Sequence, residues 1–177
     1  MKTWLFAAGL LAATPVFAQH DATIHAPADR PQTGYARMQS RAIKALSEQQ
    51  IADLRAGKGL SFALPAELNH YPGPSHTLEL AVPLQLSEEQ KRKTQVLFEQ
   101  MQAETKTLGE YVIASEGELD RLFRDRQATA ASVQAAAEKT ALAQGRLRAA
   151  HLRYHLDMSE ILTPSQVARY DALRGYE

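Results

Sequence analysis

One short pattern recurs three times in this chain and fixes where its helices can begin. It reads Leu46-Ser47-Glu48-Gln49-Gln50, then Leu86-Ser87-Glu88-Glu89-Gln90, then Leu162-Thr163-Pro164-Ser165-Gln166. In each copy a Ser or Thr can accept a hydrogen bond from the free N–H three residues on. The Gln at that third position can reach back to the N–H of the cap. Helices are therefore expected to start at Ser47, Ser87 and Thr163, with Leu46, Leu86 and Leu162 entering them and Gln50, Gln90 and Gln166 closing the reciprocal bonds.

The longest periodic stretch follows the second copy. From Ser87 to about Arg124, apolar residues such as Leu97, Met101, Leu108, Val112, Leu119 and Phe123 fall mostly at steps of three, four and seven. That spacing predicts one long amphipathic helix. Gly109 and Gly117 inside it are expected as tolerated costs of about 1 kcal/mol each against Ala. The pattern falters over 124–129, where the chain can turn. A second long helix is expected over about 130–162, Ala-rich first and then carrying Leu142, Leu147, Leu152, Tyr154, Leu156 and Met158. A terminal helix over about 164–174 has Pro164 in its first turn and Gly175 as its stop.

Shorter helices precede the long pair. Residues 47–56 end at Gly57 and Gly59, and 60–69 is a further candidate if Pro65 sits in its first turn. Tyr71-Pro72-Gly73-Pro74 is a strong breaker, after which Ser75 can cap a helix that Pro83 ends or kinks. Nothing reads as a strand. The expected fold is all-α: a long antiparallel helical hairpin over about 87–162, roughly 45–55 Å long, with short flanking helices. Two amphipathic helices cannot bury both of their apolar faces alone. The short helices or a second copy must cover them, and both are expected.

The N-terminal residues read as a targeting segment. Lys2 supplies a positive start, and Trp4 to Ala13 is apolar but too short to span a bilayer. Val16-Phe17-Ala18 fits a small-residue cleavage site with the cut after Ala18. Residues 1–18 are thus expected to be a signal peptide, 19–34 a disordered N-terminus and 35–177 a single helical domain, exported to the periplasm with no integral membrane segment after cleavage. The chain has no Cys, so stability must come from packing without disulfides, and thiolate chemistry is absent. Loss of Lys2 from the 20 Lys and Arg leaves 19 against 20 Asp and Glu. That near-neutral balance argues against a nucleic-acid binder, which needs a basic surface for phosphates.

Exported, helical, Cys-free and carrying repeated Leu-Ser/Thr-x-x-Gln helix starts, the chain resembles the Spy/CpxP family of periplasmic proteins and its ZraP-like and CnrX-like metal-resistance relatives. The copies at Leu86–Gln90 and Leu162–Gln166, with the segment Ala66-Glu67-Leu68-Asn69-His70-Tyr71-Pro72-Gly73-Pro74 and the tail from Leu162 to Tyr176, carry the likeness. It implies an ATP-independent chaperone or envelope-stress protein, a curved helical homodimer that holds unfolded or envelope proteins as clients. The near-neutral charge departs from the basic chaperone of that family.

His151 and His155 stand four apart, one turn of helix, with Met158 on the same side. A turn near residue 127 would set His151 opposite 102–104 and His155 opposite 99–100. Two imidazoles with Glu99 or Glu104 could then hold Zn, Ni, Co or Cu. No cofactor is expected to be required, and heavy-metal binding or sensing is the alternative reading. His20, His25, His70 and His76 are weaker candidates. Gly57-Lys58-Gly59 lacks the other residues of a phosphate loop, and no Gly-x-Ser-x-Gly elbow occurs, so no enzyme activity is expected.

Overall fold

The computed structural model describes residues 34–176, all of it helix, turn and connection, with no strand among the described residues. After a 3-10 turn at Ala36–Met38 come α1 (Glu48–Arg55), α2 (Leu64–Glu67), α3 (Pro74–Glu79), α4 (Glu88–Arg124), α5 (Ala130–Ser159) and α6 (Pro164–Arg174). The expected signal peptide, its expected cleavage point after Ala18, the expected disordered N-terminus up to residue 33, and His20 and His25 lie outside the described residues.

All three expected starts form. Ser47, Ser87 and Thr163 each accept from the backbone N–H of Gln50, Gln90 and Gln166, and each Gln side chain accepts from the cap's own N–H. A fourth box opens α5, where Thr129 and Ser132 exchange the same two bonds. Ser replaces the usual Glu or Gln at its third position. The leucines that enter the three expected boxes are all buried.

The second and third starts are also tied to one another. Gln90 Nε2 donates to Ile161 O at 2.9 Å, and Gln166 Nε2 donates to Leu84 O at 3.3 Å. Each Gln thus caps its own helix with its oxygen and grips the other segment with its nitrogen. Beneath this clasp lies an apolar cluster of Leu84, Leu86, Met158, Leu162 and Tyr170. A second cluster holds α1 against α4 and α5 through Leu46, Leu54, Val112, Ile113 and Leu147.

α4 and α5 pack along their length. Glu118 pairs with Lys139, Glu116 with Gln144, and Glu104 with both Arg153 and Tyr154. One index falls as the other rises, so the two helices run antiparallel. The pairing sets Glu104 beside 153–154, further along than the register expected from a turn at 127.

Several local expectations are corrected. The helix expected over 60–69 is confined to Leu64–Glu67, because Leu60 and Ser61 take left-handed φ values of +43° and +64°. Pro65 does fall in its first turn. α3 is capped by Gly73 rather than Ser75, with Pro74 in the first turn, and it ends at Glu79 ahead of Pro83. α5 stops at Ser159, short of 162. Gly109 is a requirement, not a tolerated cost: a Cβ there would lie 2.4 Å from Leu54 O, so it lets α1 lie directly on α4. Gly117 keeps the expected status, with a Cβ at ordinary contact distance from Ile43. No helix among the described residues is long and apolar enough to cross a membrane.

Candidate functional site

The polar centre of the molecule is a residue that the periodicity did not single out. Glu67 ends α2 and is only 5% exposed. Its Oε1 accepts from the hydroxyls of Tyr170 at 2.5 Å and Tyr176 at 3.0 Å, and His76 Nδ1 lies 3.1 Å away. Arg174 Nε stands 3.6 Å from the same oxygen. Oε2, by contrast, is buried with no hydrogen-bond partner among the described residues. Burial by itself would raise the carboxyl's pKa. The bonds from His76, Tyr170 and Tyr176 outweigh it and hold Glu67 at about 2, so it is ionised at neutral pH. Burial, and then the bond to Glu67, push the Tyr170 phenol upward in turn.

α5 brings two imidazoles to the same place. His155 Nδ1 is 2.7 Å from Tyr71 O and 3.7 Å from Glu67 Oε2. The carbonyl can only accept, so Nδ1 carries a hydrogen. In the neutral ring Nε2 is then a bare acceptor. His151, one turn earlier, is 3% exposed, and its Nε2 has no partner among the described residues. Burial first, and the neighbouring His155 second, lower its pKa and keep it neutral.

Glu67, His76, His151 and His155 line one cavity of about 480 Å³. It lies between the 56–64 connection, the start of α3, and the facing sides of α4 and α5. Leu60, Leu64, Phe98 and Met101 supply its apolar wall. Gly73 lets the His155 ring pack directly against the backbone: a Cβ there would sit 2.8 Å from His155 Cε1, 3.0 Å from its Nε2 and 3.5 Å from Glu67 Oε2.

Of the five residues read as metal ligands, only His151 and His155 share this cavity. Glu104 is engaged by Arg153 and Tyr154 on the α4–α5 seam. Glu99 accepts from Gln95 on the exposed side of α4. Met158 is wholly buried among Leu84, Leu162 and Tyr170. The register carries the two glutamates away from the imidazoles. Among the described residues no group of three or more His, Asp and Glu is arranged to hold a metal ion. His70 pairs with Asp171 on the surface at 2.9 Å. Glu67 could have been found in the sequence as the only charged residue in the run from Leu60 to Leu68.

A second feature is the outward side of α5. Leu142 and Leu156 are 56% and 54% exposed. With Ala135, Glu138, Gly145, Ala149 and Leu152 they follow steps of three and four, so they form one stripe along the helix. The buried stripe of the same helix, through Thr140, Leu147, His151, Tyr154 and Met158, runs on the other side. Arg146, Arg148 and Arg153 stand exposed beside the outward stripe.

Comparison of the chain with family models, curated proteins and solved structures returns no match.

Proposed function

We propose that this chain is a periplasmic holding protein of the Spy/CpxP kind, which binds unfolded clients without nucleotide. The observation that carries the reading is the outward stripe of α5. Leu142, Ala149 and Leu156 are exposed along one line with Leu152 half-buried among them, and nothing among the described residues covers Leu142 or Leu156. Beyond Glu138 the run Leu142, Gly145, Ala149, Leu152 and Leu156 is an uncharged strip that favours contact with other apolar surfaces. Small residues between the leucines keep the strip shallow, which suits weak binding of extended segments of varied sequence. Arg146 and Arg148 at its edge add attraction for acidic stretches at low salt. The three formed helix starts and the N-terminal export-like segment add support, because the family resemblance rests on them.

Light scattering of a chemically denatured model protein diluted into buffer tests the proposal. Equimolar addition of the chain from Gln19 onward, without ATP, is expected to suppress aggregation. An unchanged aggregation curve across a tenfold range of added protein would overturn it.

A further inference from the structure

The far end of the α4–α5 hairpin lies apart from the Glu67 cavity and has its own chemistry. Arg121, Phe123, Arg124 and Arg126 are all exposed there, Phe123 at 59%, with Leu122 half-buried among them. Residues 34–46 enter the fold at the same end. Lys44 N donates to Asp120 Oδ1 at 3.0 Å, and a Cβ on Gly117 would touch Ile43 at 3.5 Å. Hydrogen-bonded turns from Tyr35 to Arg41 lead into this contact. The charge of the molecule is unevenly divided as a result. Residues 34–46 and 117–139 carry seven Lys and Arg against four Asp and Glu, while the other described residues carry eleven against thirteen.

The acids of this end are engaged. Glu118 accepts from Lys139, Glu138 from Gln134, and Asp120 from Lys44 N, while Asp125 pairs with Arg124. Arg37, Arg121 and Arg126 stand exposed outside these pairs. We propose that this end docks on an anionic phospholipid surface, its arginines pairing with lipid phosphates and Phe123 entering the headgroup layer. Guanidinium groups match phosphate oxygens in bidentate geometry. An apolar ring among basic side chains is the pairing that interfacial segments present to a charged bilayer. The end of a two-helix hairpin is convex and spreads its side chains over a broad face. An acidic peptide would need an apolar residue of its own to cover Phe123, whereas a lipid surface supplies phosphate and hydrocarbon together. Attachment is peripheral, since no helix among the described residues can cross a bilayer. The inference does not depend on client holding by α5.

Vesicle flotation with the chain from Gln19 onward tests this, using phosphatidylcholine alone or with about 30 mol% phosphatidylglycerol. Binding is expected only to the anionic vesicles, and tenfold or more weaker at 500 mM than at 50 mM NaCl. Arg121→Gln/Arg124→Gln/Arg126→Gln should weaken it tenfold or more. Arg92→Gln/Arg146→Gln/Arg148→Gln removes the same charge elsewhere and should bind as the parent does. Trp4 is the only Trp, so the chain from Gln19 onward has none and Phe123→Trp reports on the tip alone. Its emission should shift to the blue on anionic vesicles and be quenched by brominated acyl chains. Equal loss in the two triple variants would overturn the proposal, as would bound Phe123→Trp with unshifted emission. So would binding to poly-L-glutamate at 50 mM NaCl with none to anionic vesicles.

Discussion

α5 has two apolar stripes of the same period, and the molecule treats them in opposite ways. The inward one, through Leu147, Tyr154 and Met158, is closed over by α4 and the short helices. The outward one, through Leu142, Gly145, Ala149 and Leu156, is left open by the described residues. The inward stripe combines large side chains with polar groups that find specific partners, such as Tyr154 on Glu104. The outward stripe combines leucines with residues too small to resist contact. Periodicity identifies both, but only the partner helices decide which is core. The inward side should therefore govern stability and the outward side association.

The largest effect is expected at Leu147, which is almost fully buried in the cluster shared with Leu54 and Val112. Leu147→Ala should cost about 3 kcal/mol, read as a lower urea midpoint, through lost burial and the cavity it leaves. Comparable holding by the fraction still folded would keep the two sides distinct. Next comes a pair of glycine substitutions of opposite sign. Gly109→Ala should destabilise by about 2 kcal/mol, because its Cβ meets the Leu54 carbonyl. Gly145→Ala on the open side meets nothing and should stabilise by up to about 1 kcal/mol through helix propensity. Equal signs would break the comparison.

Glu67 supplies a test by pH. Its folded pKa of about 2 lies below the ordinary 4.5, so the native state binds the proton less readily than the unfolded chain. The stabilisation is complete above about pH 4.5 and is lost as pH falls towards 2. Glu67→Gln should lower stability at pH 7 by about 2 kcal/mol, and the difference from the parent should vanish towards pH 2. His151, depressed by burial, adds an earlier loss that begins as pH falls below its ordinary 6.5. A smaller change is expected from Thr163→Ala, about 1 kcal/mol in thermal or urea unfolding, since it removes one cap of the Gln90–Gln166 clasp.

Much of this architecture is legible in local side-chain chemistry. The boxes at Ser47, Ser87 and Thr163 form as read, because a cap needs only residues three apart. The lengths of α4 and α6 follow from pattern and stop signals for the same reason. What the pattern misses depends on distant partners. The register that draws Glu104 to Arg153, the approach of Leu54 that demands Gly109, and the convergence of Glu67 with Tyr170 and His155 all join segments far apart in the chain. His151 and His155 were identifiable as a pair one turn apart, but their companion is an acid on α2 rather than one on α4. The box at Thr129 escapes a search for Leu-Ser/Thr-x-x-Gln because Ser132 does the work of Gln.

On the proposed reading, the open side of α5 holds clients while the closed side holds the fold. The most direct measurement is aggregation suppression by Leu142→Glu/Leu156→Glu, set against its urea midpoint. Exposed positions tolerate such changes within about 0.5 kcal/mol each. The expected result is a nearly unchanged midpoint with most of the holding lost. Full holding by a folded double variant would contradict the account.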